Sequence, residues 1–339
     1  MISKSRPKWT LSLFAAAAVL AYSAANANAE TRTVRVAKQF GVSYLPLSVM
    51  EEKGLIEAEG KKLGLDLKTE WLRFTGGPPM NEAIVSGNLD FASGGVGPLV
   101  TAWARTKKNI KIKGIAAINA MPLWLNTINP NVKTIKDFTE KDRIALPAVR
   151  VSIQAVVLQM AAEKAFGKGQ EHKLDPWTVS LSHPDGLAQM MSGKSEITAH
   201  LTSAPYQYEE LKDKRVHKVL DSYEVLGGPH TFNSVWATAK LYEGEPKVVQ
   251  AFLAALEESM KYIKSDPDGA AKLWVKNTNS KLPVEEVARI IKLPENEWTM
   301  TPKKTMVFAD YMSRVGMIPV KPESWKDIYI KNIHNLPGS

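Results

Sequence analysis

Two glycine-rich turns carry residues suited to holding a small anion. Thr75-Gly76-Gly77 leads into a helical pattern with prolines in its first turn, and Ser93-Gly94-Gly95 leads into another containing Pro98. A helix start leaves backbone N–H groups without intrahelical partners and lies at the positive end of the helix dipole, so both turns suit a negative group. Arg150, at a third expected helix start, can make a two-pronged contact to a carboxylate or sulfonate. A solvated or salt-bridged arginine is the plain alternative. His200 either donates to a ligand or is a packed imidazole satisfied by backbone; His183 and His230 open loops and are weaker candidates. Phe40, Tyr44, Trp124, Tyr206 and Phe232 come from segments expected near a cleft. Singly each reads as core, but together they allow an apolar or aromatic ligand body.

Other chemistries find little support. Asp90 and Glu196 stand in separate segments without a polar cluster around them, which argues for strand-end roles over an acid–base pair. Six histidines are scattered and cysteine is absent, so no metal-ligand spacing emerges and disulfides are excluded. A phosphate loop, a nucleophile elbow and a Ser/His/Asp grouping are likewise not recognisable.

The elements that must position these groups form a repeat. The 75–98 stretch reads as helix, a strand at 89–92, a sharp turn at 93–95 and a second helix. The same grammar returns at 184–205, where Ser192-Gly193 matches Ser86-Gly87, Glu196 matches Asp90 and Pro205 matches Pro98 with one residue of slip. Strands are expected at 33–37, 65–71, 111–118, 123–128, 143–146, 177–181, 216–220 and 231–238. Helices are expected through 47–50 and over 153–165, with a capped turn at 134–138. From 246 onward the pattern is helical, at 248–263, 266–276, 284–291 and 303–315. This order predicts two α/β lobes with facing helix ends and a helical tail packed on the first lobe. Gln39, Phe40 and Tyr44 then fall in the first strand–helix loop, where a crevice forms.

Lys4, Arg6 and Lys8, an apolar run at 11–20 and Ala27-Asn28-Ala29 predict a secretory leader at 1–29, cleaved before Glu30. A soluble, exported protein of the bacterial periplasm is the expectation. The formal charge of +9 is spread along the chain without a basic arm, which argues against nucleic acid and for a mild field that collects anions.

The run Ser86-Gly87-Asn88-Leu89-Asp90-Phe91-Ala92, then Gly94-Gly95 and Pro98, with its echo after a Ile-Lys-Asp-Phe segment, resembles the periplasmic solute-binding proteins of the nitrate/sulfonate/taurine type. The resemblance covers the mature chain. It implies an α/β, two-lobe type II periplasmic binding fold, with lobe I at 30–120 and 236–339 and lobe II at 121–235, crossing near Ala120 and returning near Phe232. It implies a monomer without cofactor or metal that hands a small organic anion to the membrane permease of an ABC importer. Family clefts are lined by the first strand–helix loop and the helix starts of both lobes, which here match Gln39, Phe40, Tyr44, Thr75, Gly76, Ser93 and Gly94. Adjacent turns and strand ends add Gly77, Gly95, Trp124, Arg150, Ser152, His200, Thr202, Phe232 and Asn233. The chain departs from relatives at Ala148-Val149-Arg150, where a Gly-Ser-type turn is common, and at Glu196, where aspartate is usual. An alkyl or aryl sulfonate or an aromatic carboxylate ranks first, nitrate lower, a thiamin precursor as outsider. The alternatives are an enzyme of the same fold, such as a pyrimidine-forming synthase of thiamin biosynthesis, and a ligand-loaded sensory partner.

Overall fold

The computed structural model describes residues 31–339, so the expected leader at 1–29 lies outside the described residues. In chain order, β1 (Arg32–Lys38) leads into α1 (Leu45–Lys53) and α2 (Leu55–Lys62), then β2 (Leu67–Arg73), α3 (Gly77–Val85), β3 (Ala92–Gly95), α4 (Val96–Thr106) and β4 (Lys113–Ala117). The chain continues through β5 (Trp124–Thr127), β6 (Ile144–Leu146), α5 (Ile153–Phe166), β7 (Thr178–Ser180), α6 (His183–Ser192), β8 (Ala199–Thr202), α7 (Tyr206–Glu210), β9 (His217–Asp221) and α8 (Ser222–Leu226). It ends with β10 (Asn233–Ala237), α9 (Ala239–Tyr242), α10 (Pro246–Ser265), α11 (Pro267–Thr278), α12 (Val284–Ile291), α13 (Thr305–Arg314) and α14 (Trp325–Ile328).

Two sheets of the same strand order result. β1 pairs with β2 in parallel, a bridge from Val36 to Phe91 joins β1 to the lead-in of β3, and β10 runs antiparallel between β3 and β4. The second sheet runs β7-β6-β8-β5-β9, again with one antiparallel strand, β5, in the fourth place. The first sheet thus takes its antiparallel strand from beyond its own run of the chain, β10 returning to it after α8. The second is built from the unbroken run β5 to β9, with the antiparallel strand β5 first in the chain. The two crossing segments lie side by side, with Ala120 bridged to both Thr231 and Glu297.

The repeat is real, and its register differs from the sequence match. Asp90 and Phe91 both donate their N–H to the Arg35 carbonyl, at 3.0 Å each; Thr198 and Ala199 do the same to Arg143, at 3.0 and 3.1 Å. The N–H of Arg35 donates to Asp90 Oδ2 at 2.8 Å, and that of Arg143 to Thr198 Oγ1 at 3.2 Å. Thr198, not Glu196, therefore stands where Asp90 does, because the turn after Gly193 is longer. Glu196 is exposed and makes a long 3.7 Å contact to Arg143. Two further differences follow from hydrogen bonding. The strand expected at 89–92 runs Ala92–Gly95, so Ser93-Gly94-Gly95 is paired with β10 and is not a turn. The return boundary expected at 235/236 falls inside β10, which starts at Asn233.

The tail docks as its patterning dictates. α10 opens with Pro246 and buries Val248, Val249, Phe252, Ala255, Leu256, Ser259 and Ile263 at helical spacing. Its Phe252 stacks on Phe91 with centroids 4.0 Å apart, a burial that stabilises by about 1.5–3 kcal/mol for each ring. Buried Lys38 of β1 meets Glu51 of α1 and Asn277 of α11, a polar tie that satisfies a charge removed from water. The tail also reaches the second lobe: Lys212 contacts Glu286 at 3.0 Å, and Arg314 pairs with Glu163 at 2.6 Å.

Candidate functional site: a cleft between the two lobes

A cavity of about 230 Å³ lies where the carboxyl ends of both sheets face each other. That volume suits a molecule smaller than a typical drug. Gln39 and Phe40 after β1, Tyr44, Thr75, Gly77 and Asn81 of the α3 turn, and Gly94 and Gly95 of β3 form the first-lobe wall with Phe232, Asn233 and Trp236 of the return segment. α4 contributes Pro98, Thr101 and Arg105, one face at helical spacing. The second lobe supplies Pro147 and Ala148 after β6, residues 151–154 at the start of α5, and His183 at the start of α6.

Several local devices shape this wall. Ser152 caps α5, its Oγ accepting the Ala155 N–H at 3.2 Å. A Cβ on Gly94 would lie 3.0 Å from Gln39 Nε2 and 3.1 Å from the Trp236 ring, so glycine lets both side chains close over the strand. Asn233 and Trp236 are three apart, which in a regular strand would send them to opposite faces. The register of β10 against β4 shifts between Val235 and Trp236, and both residues line the cavity.

The polar lining is uncharged apart from Arg105. The Tyr44 hydroxyl donates to Asn233 Oδ1 at 3.4 Å and burial pushes that phenol up, keeping it neutral. Asn233 Nδ2 and Trp236 Nε1 are buried donors without a partner among the described residues, and Asn81 Oδ1 is a matching orphan acceptor. His183 is held well below the ordinary imidazole range, by burial and then by the neighbouring His200. No aspartate or glutamate lines the cavity among the described residues, and Arg105 is its one guanidinium.

Of the expected residues, Gln39, Phe40, Tyr44, Thr75, Gly77, Gly94, Gly95, Ser152, Phe232 and Asn233 line this cavity and six do not. Arg150 sits in the left-handed region at φ 65°, its side chain 73% exposed and 3.8 Å from Asp175, so it points to solvent and Arg105 is the cation of the cleft. His200 is fully buried and bonded to Glu210 at 2.6 Å, because the longer turn sets it two positions earlier along β8 than the sequence match implied. Thr202 Oγ1 is 3.0 Å from His183 Nδ1, behind that ring. Ser93 donates its hydroxyl to the Ala37 carbonyl at 2.6 Å, tying β3 to β1. Gly76 is extended and buried between two lining residues. Trp124 packs edge-on to Tyr208 with centroids 4.9 Å apart, beneath Lys218, in the second sheet. Sequence reading missed Asn81, Pro98, Thr101, Arg105, Pro147, Ala148, Val151, Ile153, Gln154 and Trp236 as site residues, and ranked His183 only as a weaker candidate. The 98, 101, 105 spacing on a helix opening from a glycine segment was the available signal for α4.

Among the described residues no helix is long and apolar enough to cross a membrane, and no cluster of histidine and carboxylate ligands could hold a metal. Paired sheets of this order, clasping a cleft at their strand ends, define the periplasmic binding protein fold. The model of the NMT1-like family matches residues 27–276, so the chain belongs to the NMT1-like family. The alkanesulfonate-binding protein SsuA from Xanthomonas axonopodis pv. citri, solved with MOPS, is similar in structure, with TM-score 0.68, 18% identity and coverage of 86% of this chain and 96% of that one. SsuA of Escherichia coli, which binds aliphatic sulphonates, gives 0.64 at 19% identity, covering 88% and 92%. The periplasmic nitrate-binding protein NrtA from Synechocystis PCC 6803 gives 0.70 at 15% identity, covering 89% and 86%. At such identities the likeness establishes the fold. None of the curated proteins compared with the chain matches it in sequence.

Proposed function

We propose that this protein is the periplasmic solute-binding component of an ABC importer, exported by its leader, and that it closes two lobes on a small organic anion with an apolar body. Residues 30–120 and 233–339 would move against 121–230 about the crossing segments at Ala120 and Thr231, and the closed form would dock on a membrane permease as a monomer. The ligand class is an alkyl or aryl sulfonate or an aromatic carboxylate, and the role is capture and delivery, without catalysis.

The observation that carries this reading is the charge balance of the cavity: one guanidinium at Arg105 and no lining carboxylate among the described residues. A cation entering such a space would lose hydration with nothing negative to replace it, whereas an anion finds the Arg105 guanidinium. Phe40, Tyr44, Phe232 and Trp236 supply the apolar surround, more than bare nitrate would use. The fold shared with sulfonate- and nitrate-binding proteins supports the transport role.

Titration calorimetry on the purified protein with benzenesulfonate, benzoate, taurine, nitrate and a cationic aminopyrimidine tests it. Organic anions bind, and Arg105→Gln weakens them about tenfold, roughly 1.4 kcal/mol, while Arg150→Gln changes nothing. Preference for the aminopyrimidine, or anion binding indifferent to Arg105→Gln, would overturn the reading.

A further inference from the structure

We propose that Glu210, His200 and His183 are positioning residues that hold the Gln154 carboxamide with its N–H toward His183 and its carbonyl oxygen toward the cavity, so that the site selects an anion whose body carries a hydrogen-bond donor. This deepens the anion-receptor reading and rests on it.

The chain of contacts is buried from end to end. Asn126 Nδ2 donates to the Gln207 carbonyl at 3.1 Å and to Glu210 Oε2 at 2.8 Å; a backbone carbonyl can only accept, which fixes this amide's orientation. Glu210 Oε1 lies 2.6 Å from His200 Nδ1, His200 Nε2 lies 3.1 Å from His183 Nδ1, and His183 Nε2 lies 3.2 Å from Gln154 Nε2. With the carboxylate accepting at one end, His200 carries its proton on Nδ1 and leaves Nε2 as acceptor. His183 must then carry its own on Nδ1, shared with Thr202 Oγ1 at 3.0 Å, and Nε2 accepts from Gln154. The reverse sense needs one more proton, on His200 or on Glu210, than this chain of single donors and acceptors requires.

The fold makes room for this chain. A Cβ on Gly186 of α6 would sit 2.7 Å from His200 Nε2, so only glycine there lets the two rings meet. His183 is further stacked on Tyr206, with centroids 5.6 Å apart. Gln154 and His183 both line the cavity, on the wall facing the first-lobe donors. One wall therefore grips the anionic head, and the other offers an acceptor to a hydroxyl or amino group on the body.

Benzenesulfonate and 4-hydroxybenzenesulfonate separate the possibilities. The wild type is expected to bind the hydroxylated ligand about tenfold more tightly, an increment on the scale of one good buried hydrogen bond. ¹⁵N spectra of the ligand-free protein should show both imidazoles protonated on Nδ1. In Glu210→Gln the new amide can donate to His200, reversing both tautomers and removing the preference. Gln154→Met, which leaves Glu210 and both histidines in place, removes the preference without altering the tautomers and serves if the first variant does not fold. Binding of both arenesulfonates with an unchanged ratio in Gln154→Met, or an Nε2-protonated His183 in the wild type, overturns the proposal. If neither arenesulfonate binds the wild type, the aryl-sulfonate form of the anion-receptor reading falls and the selectivity with it, while the tautomers still decide whether the chain holds.

Discussion

Burial keeps the imidazole of His230 neutral, and this makes folding sensitive to acid. The ring is fully enclosed, donates from Nδ1 to the Thr231 carbonyl at 2.9 Å and accepts at Nε2 from the Ser222 hydroxyl at 2.8 Å. Loss of hydration lowers its pKa from 6.5 to about 4. The unfolded chain therefore binds the proton first: the contribution is complete above the unfolded value and is lost as pH falls from 6.5 to about 4. Fully lost, it amounts to roughly 3 kcal/mol, at about 1.4 kcal/mol for each pH unit. His183 acts in the same direction. The urea midpoint should fall steeply between pH 7 and pH 4.5, and less steeply in His230→Gln; equal slopes would remove His230 from the account.

Two helix starts decide how the elements meet across the cleft. Gly95, immediately before α4, lies against Ile153 at the start of α5: a Cβ on Gly95 would come within 2.5 Å of Ile153 Cγ2. Its backbone, at φ −60° and ψ 149°, accepts any residue, so the reason for glycine is proximity and not torsion. Gly95→Val should leave each lobe folded yet hold them apart. Ligand affinity is expected to drop at least tenfold with a thermal midpoint close to wild type. A full-strength ligand response would show that α4 and α5 need not touch for binding.

At the scale of the molecule, the lobes are joined by contacts between residues that do not themselves line the cavity. Arg314 grips Glu163 through two 2.6 Å bonds, the Tyr208 hydroxyl donates to Glu295 Oε1 at 3.1 Å, and the Val42 N–H donates to the Ala204 carbonyl at 3.1 Å. Exposed ion pairs contribute about 0–1 kcal/mol each, so such contacts bias the balance between open and closed forms without setting it. Combining Glu163→Gln with Tyr208→Phe should weaken ligand binding about threefold and enlarge the ligand-free molecule in solution scattering. Unchanged affinity and dimensions would mean that cavity contacts alone govern closure.

The amino-acid sequence by itself determined most of the longer elements, their order and the duplication. Helical spacing from Val248 to Ile263 and the Thr134 cap are local patterns, and local backbone physics sufficed for them. The turn at Thr75–Gly77 and the first-loop residues around the cleft were legible for the same reason, whereas Gly94 and Gly95 reach the cleft as strand and not as turn. Tertiary structure alone decided which side chains face inward. A longer turn after Gly193 carried His200 back into the core, and a left-handed backbone at Arg150 turned that guanidinium to solvent. A register shift in β10 brought Trp236 beside Asn233, and α4 carried Arg105 two turns along to the cavity. Each outcome depends on how strands pair or helices pack over long chain separations. Side-chain direction reverses with a single residue of register, so residue type and spacing alone do not specify it.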